Sequence, residues 1–193
     1  QPPTLHLVLS TRQDPPLPLP RLRVRGAMTE VRADDLRFTA QETATFLTQT
    51  LGETLPAEAL GTLEAQTEGW IAGLQLAALS MRGRPMARVA EFVAAFSGSH
   101  RHVIDYLADE VLARQPRPVR DFLRQTAVLD RLNAALCDAV TGRDDSAARL
   151  RRLEQDNLFL VPLDERREWY RYHHLFADFL RTELDADKGA ALH

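Results

Sequence analysis

The sequence predicts a mainly α-helical protein in which the end of an α/β domain precedes a helical bundle and a helix-plus-hairpin unit. Three observations support this fold class. A short apolar run at residues 5–9 leads into a proline-rich segment, and helix-start and helix-stop signals recur from Thr39 onward. Two β-prone runs near residue 165 then flank a charged turn. Short helices followed by such a hairpin give the order of elements of a winged helix.

Composition limits the function classes. The 193 residues are 45% hydrophobic and 26% charged, which is typical of one or two folded domains. A formal net charge of -3 gives no global field that would draw the chain to nucleic acid. The single cysteine, Cys137, cannot form an internal disulfide and is predicted to be a core residue. Without an apolar run of bilayer length or a signal-peptide pattern, we expect a soluble, cytoplasmic protein.

The first segment predicts extended structure. The run Leu5–Leu9 is apolar and β-prone, as in a buried parallel strand. Prolines at Asp14–Pro20 predict a loop, and Leu22 and Val24 indicate a second strand within 21–31. We expect residues 1–37 to be the C-terminal remnant of an α/β domain that lies mostly outside this chain.

Helix signals begin at Thr39. Thr39 and Glu42 form a capping-box pattern, and Gly52 marks the end of that helix. Pro56 suits the start of a second helix, which we expect to run to about residue 67. The run 69–79 is apolar on nearly all sides, which predicts a helix buried in a core.

Two further helices complete the predicted bundle. They are expected at 86–96 and at 100–114, the latter capped by Ser99. Pro116 follows, so we expect a helical domain over 38–115.

The last unit reads as a winged helix over 116–185, followed by a tail at 186–193. Asn133 and Ser146 are predicted N-caps within it. The expected elements are helices at 119–129, 133–140 and 146–156, strands near 158–161 and 169–172, a turn at 164–167, and a helix from 174 to about 184.

An arginine cluster raises a DNA-binding hypothesis. Arg149, Arg151 and Arg152 lie on the third helix of this unit, the element that enters the major groove in helix-turn-helix proteins. Acidic residues such as Asp145 and Asp156 flank them, so the local charge is nearly balanced. A solvated helix face is the favoured interpretation, with DNA contacts as the alternative.

The sequence contains few patterns that indicate a catalytic or metal site. His173 and His174 are chain neighbours, which rarely point at one ion, and no metal-ligand spacing accompanies them, so no metal site is predicted. No phosphate-binding loop, nucleophile elbow or Cys-His pattern occurs, so we predict no catalytic residue. Arg12 follows the apolar run, where an arginine could reach a phosphate, although a plain surface arginine is the commoner case.

Several ordered motifs suggest a family. They are LVLSTR at 7–12, LRFTAQE at 36–42, EGWIAGLQLAALS at 68–80, DYLADEVL at 105–112, and NLFLVPLD with EWYRYHHLFADFLR between 157 and 181. With these motifs the chain resembles the central part of the MalT-like, large ATP-dependent LuxR-type transcriptional regulators, which belong to the STAND class of signalling NTPases.

The resemblance implies roles for particular residues. Arg12 resembles the arginine that senses the terminal phosphate, and Leu74 and Gln75 lie on a helix similar to the one that packs near adenine. His173 resembles the winged-helix histidine that contacts the nucleotide phosphates. Gln75 stands where related proteins often have proline, a departure that bears on the adenine contact. His174 stands where the family motif usually has proline, which leaves open whether His173 or His174 faces the nucleotide.

The resemblance also implies a function, a nucleotide-dependent switch that couples ADP or ATP to domain arrangement and oligomerisation. It implies ATP or ADP with Mg²⁺ in an intact protein that is a slow ATPase, whereas these residues alone lack the phosphate-binding loop and should be inactive. Implied partners are an N-terminal nucleotide-binding domain, C-terminal sensor and DNA-binding domains, further copies on activation, and DNA, but no membrane. The alternatives are a DNA-binding winged-helix regulator and a helical protein-interaction adaptor.

Overall fold

The structure, a computed structural model, describes residues 6–11, 14–85 and 88–190. The helical region comprises α1 (Leu19–Val24), α2 (Ala40–Leu51), α3 (Ala57–Thr67), α4 (Ile71–Met81), α5 (Val89–Ala95), α6 (Arg101–Tyr106) and a π-helix (Leu107–Leu112). The following unit comprises α7 (Arg117–Thr126), α8 (Ala134–Thr141), α9 (Ser146–Gln155), β1 (Leu160–Pro162), β2 (Tyr170–Tyr172) and α10 (His174–Ala190). Within the described ranges, no helix combines the length and apolarity needed to cross a membrane.

The first segment differs from the prediction. Residues 6–11 form no strand, and Leu7 and Val8 are exposed. The strand predicted within 21–31 is wrong, because α1 occupies Leu19–Val24. A proline at the first turn presets the helical φ and needs no amide partner, which favours a helix where the apolar alternation suggested a strand.

Local capping chemistry fixes the start and end of α2. The amide of Glu42 donates to the Thr39 hydroxyl at 3.3 Å, and the amide of Thr39 donates to the Glu42 carboxylate at 2.9 Å. Gly52 ends the helix with a φ of 78°. The predicted capping box and helix end are therefore confirmed.

Two predicted caps are wrong. The N-cap position of α6 is His100 and not Ser99. Ser146 is the first residue of α9 and follows the N-cap Asp145. Its amide donates to the Asp138 carboxylate at 3.1 Å, so a side chain from α8 satisfies the amide at this helix start. The cap predicted at Asn133 is confirmed, since its side chain accepts from the Leu136 amide.

The final unit has the elements of a winged helix. β1 and β2 are antiparallel, with Leu160 opposite Tyr172. Leu132 adds a bridge to this sheet, because its amide and carbonyl both bond to Tyr170, at 2.8 and 2.9 Å. In the turn, Asp164 accepts from the Trp169 amide at 2.7 Å. The hairpin is confirmed, and the predicted last helix continues to Ala190.

The two regions share one hydrophobic core. α10 packs against α3 and α6 of the helical region as well as against α7. Leu175, Phe176 and Phe179 on α10 are at most 1% exposed. The docked winged helix is thus held by apolar packing as well as by polar contacts.

Gly98 permits this packing. It lies between α5 and α6, and a Cβ at this position would lie 1.9 Å from the carbonyl oxygen of Leu175 and 2.7 Å from the Cβ of Asp178. Its amide lies 3.4 Å from the Asp178 carboxylate. Backbone therefore contacts backbone where the helical region meets α10.

We predict that Gly98→Ala lowers the free energy of unfolding by roughly 1–3 kcal/mol, because the methyl group must push α10 away. Urea denaturation measures this change. Gly61→Ala is the matched control, since a Cβ on this mid-helix glycine meets nothing within 4 Å. The control should be stabilised by about 0.5–1 kcal/mol, and equal stability of the two variants would contradict the packing argument.

Candidate functional site

Glu68 lies where α3 turns back towards α4. It occupies the left-handed region with a φ of 50°, and Gly69 follows with a φ of 72°. The chain around Phe38 packs closely here: its amide donates to the Gly69 carbonyl at 2.9 Å, and a Cβ on Gly69 would lie 2.5 Å from its carbonyl oxygen. This reversal places the Glu68 side chain against the winged helix.

Glu68 binds the winged helix through Arg171 and His174. Arg171 on β2 forms a two-pronged ion pair, from Nη1 to Oε1 at 2.8 Å and from Nη2 to Oε2 at 2.9 Å. The backbone amide of His174, the first residue of α10, donates to Oε1 at 3.1 Å. The Glu68 side chain is only 13% exposed, so solvent screens this pair weakly.

His173 docks beside Glu68. Its Nε2 lies 2.8 Å from the carbonyl oxygen of Thr67, and because a carbonyl only accepts, Nε2 carries the hydrogen. The ring lies edge-on to Trp70 on the helical side and to Phe159 on the winged-helix side, at centroid distances of 5.9 and 5.8 Å. His173 is 3% exposed, and its Nδ1 is buried without a hydrogen bond in the described part of the chain.

Burial acts on both ionisable groups. Burial alone would raise the pKa of Glu68, but the Arg171 hydrogen bonds, the charge of the His173 ring when it is protonated, and the His174 amide together lower it to about 2. Burial lowers the pKa of His173, although the Glu68 carboxylate opposes this effect. At neutral pH the site therefore contains an ionised carboxylate beside a neutral imidazole.

The residues that the resemblance implied for nucleotide contact differ in how exposed they are. Leu74 is fully buried in the core, whereas Gln75, the next residue of α4, is exposed. His173 is buried, but the side chain of His174 is 58% exposed. Arg12 lies outside the described residues. The part of the chain that the structure describes contains no group of three or more His, Cys, Asp or Glu that could hold a metal ion.

Sequence reasoning missed the central residues of this site, Glu68 and Arg171. They are separated by 103 positions, and nothing in the spacing of single charged residues pairs them. One indication of Glu68 is present in the sequence, because this residue precedes Gly69, where the helix from Pro56 is predicted to have ended.

Comparisons with known proteins agree with this architecture. Residues 108–192 match the family described as the MalT winged helix domain. Over 187 residues, 96% of this chain, it is 38% identical to the HTH-type transcriptional regulator MalT of Vibrio cholerae. This chain belongs to the MalT-like family. The regulators of the same name in Vibrio campbellii and Vibrio parahaemolyticus are 36% and 35% identical, over 94% and 96% of the chain. The chain spans about a fifth of the length of each of these relatives.

In this MalT-like winged helix, arginines of α9 pair with acids of their own unit. Arg149 bonds to Asp145 at 2.8 and 2.9 Å and lies over the Phe122 ring, and Arg152 bonds to Asp156 at 2.8 Å. Arg151 is exposed. The pairing of Arg149 and Arg152 reduces the positive field that phosphate binding needs.

We predict that Glu68→Gln costs on the order of 3 kcal/mol of unfolding free energy at pH 7, because the pKa of Glu68 falls from 4.5 to about 2 on folding. A carboxylate whose pKa is lowered stabilises the fold above its unfolded pKa. The difference between wild type and variant should therefore shrink as the pH falls from about 4.5 to 2.

Chemical denaturation at several pH values measures this difference. Glu53→Gln, which removes an exposed carboxylate from the loop after α2, is the control and should change stability by less than about 0.5 kcal/mol. A pH-independent cost of Glu68→Gln would show that the side chain acts by packing and not by charge.

Proposed function

We propose that these residues are the nucleotide-dependent switch region of an ATP-dependent transcriptional regulator. One observation carries the proposal: closely spaced residues at the junction of β2 and α10 bind the end of α3. Arg171 pairs with Glu68, and His173 bonds to Thr67. In our proposal the winged helix has two arrangements, docked and undocked, and the docked one is held by these polar contacts together with the apolar packing of α10.

A nucleotide can shift this equilibrium only through different affinities for the two arrangements. Breaking a buried ion pair on one side costs roughly 3–5 kcal/mol, a range that a bound ligand can offset. In our proposal ADP favours the docked arrangement and ATP the undocked one. Undocking then permits oligomerisation of the whole regulator.

His173 is the residue through which we propose that the nucleotide acts. Its Nε2 bonds to the Thr67 carbonyl, so a phosphate oxygen must approach the buried Nδ1, which requires the packing around the ring to open. A phosphate oxygen accepts hydrogen bonds, so Nδ1 must carry a hydrogen to bind it. A neutral ring that carries its hydrogen on Nε2 has none on Nδ1. A nearby phosphate favours the doubly protonated ring, against the effect of burial. His174, which has the more exposed ring, is the alternative contact.

Three further residues and the domains outside this chain have roles in the proposed switch. Arg12 meets the terminal phosphate, Gln75 is the exposed α4 position available for adenine, and Leu74 supports that helix from the core. ATP or ADP is held with Mg²⁺ by a nucleotide-binding domain outside these residues. Sensor and DNA-binding domains of the same regulator act in the cytoplasm, and DNA binds through the latter rather than through Arg149, Arg151 and Arg152.

Nucleotide calorimetry on the whole regulator tests the proposal. His173→Ala should weaken ADP binding at least tenfold and raise ATP-dependent transcription, because the docked arrangement loses both the Thr67 bond and the phosphate contact. Arg152→Ala is the control, since it removes an arginine that pairs within its own unit. A loss of ADP binding in His174→Ala instead would assign the contact to His174.

Unchanged ADP and ATP binding in both histidine variants would contradict the switch assignment. Steeply salt-dependent binding of the 193-residue chain to duplex DNA, lost in Arg149→Ala, would favour the winged-helix DNA regulator. Partner capture or self-association without any nucleotide effect would favour the adaptor.

A further inference from the structure

A second arginine lies beside the Glu68 carboxylate. Arg37 Nη1 is 3.6 Å from Oε2, the oxygen that also accepts from Arg171 Nη2 at 2.9 Å. At 3.6 Å the Arg37 contact is an ion pair but not a hydrogen bond. Glu68 thus has one close arginine from the winged helix and one more distant arginine from the segment before α2.

Arg37 is held independently of the winged helix. Its Nη1 donates to the backbone carbonyl of Glu68 at 2.9 Å, and its Nε donates to Asp34 at 3.2 Å. The neighbouring Phe38 amide bonds to the Gly69 carbonyl at 2.9 Å. These contacts all lie within residues 34–69, so Arg37 stays beside Glu68 when the winged helix leaves.

The partners of Glu68 divide by domain. Arg171, the His174 amide and the His174 ring, whose Nδ1 is 3.6 Å from Oε1, all belong to the winged helix. Undocking removes them together. Arg37, already 3.6 Å from Oε2, is the cation that stays beside the carboxylate and can replace them.

We propose that Glu68 exchanges its ion-pair partner, binding Arg171 in the docked arrangement and Arg37 in the undocked one. A small movement of the Glu68 side chain converts the 3.6 Å contact with Arg37 into a hydrogen-bonded pair. Arg37 is then a positioning residue that stabilises the undocked arrangement. The inference rests on the winged-helix docking of the proposed function, but its test uses no nucleotide, so either can fail without the other.

The two arginines should have opposite effects. Arg171→Ala removes a docked-state partner and favours undocking by about tenfold, or about 1.4 kcal/mol. Arg37→Ala removes the undocked-state partner and disfavours undocking by a similar factor. If Arg37 only supported the fold around Glu68, both substitutions would favour undocking.

Trp70 reports the docking directly. Its ring packs against Phe159 and His173 of the winged helix, at centroid distances of 5.0 and 5.9 Å. The chain has two tryptophans, and Trp169→Phe removes the other one from the hairpin. In this background, acrylamide quenching of Trp70 across a urea titration measures undocking, and far-UV circular dichroism measures global unfolding.

Relative to the circular dichroism midpoint, the urea concentration at the quenching midpoint should be lower in Arg171→Ala and higher in Arg37→Ala. Both shifts should vanish in a Glu68→Gln background, which tests the exchange even if Arg37→Ala lowers overall stability. Arg152→Ala, the control, should leave the difference between the quenching midpoint and the circular dichroism midpoint unchanged. Shifts of the same sign for the two arginines, or shifts that persist in Glu68→Gln, would overturn the exchange.

Discussion

The charge of one carboxylate determines how the two regions fit together. Glu68 is ionised in a position that is 13% exposed, so it must be paired, and its closest cation belongs to a strand more than 100 residues later. The left-handed turn at Glu68 and Gly69 and the close approach of Phe38 place it there. The polar part of the interface between α3 and the winged helix depends on this placement.

Apolar packing and this ion pair contribute in different ways. The Leu175, Phe176 and Phe179 side chains supply burial, which is roughly proportional to area and does not select one exact geometry. The Arg171 fork and the His173–Thr67 bond select one arrangement, because each requires a particular donor direction.

Much of the fold follows from local chemistry in the sequence. The capping box at Thr39, the helix end at Gly52 and the hairpin after α9 all depend on residues within a few positions of one another. The bridge at Leu132 and the Glu68–Arg171 pair depend on chain segments that only the tertiary fold brings together. α1 departs from the predicted strand because a proline at its first turn favours helical backbone, and no strand in the described part of the chain pairs with this segment. Of the candidate site, His173 was found from a resemblance, whereas its partner Thr67 was not predicted at all.

A double-mutant cycle between Glu68→Gln and Arg171→Gln measures how strongly this ion pair holds the winged helix, with unfolding free energies obtained by urea denaturation. We expect a coupling energy of about 1.5–3 kcal/mol, as for a weakly screened, two-pronged charged pair. The Arg152–Asp156 pair is local to the end of α9 and its arginine is 62% exposed, so it should give about 0.3–0.5 kcal/mol in a parallel cycle. A Glu68–Arg171 coupling no larger than that of this local pair would show that the contact does not hold the winged helix in place.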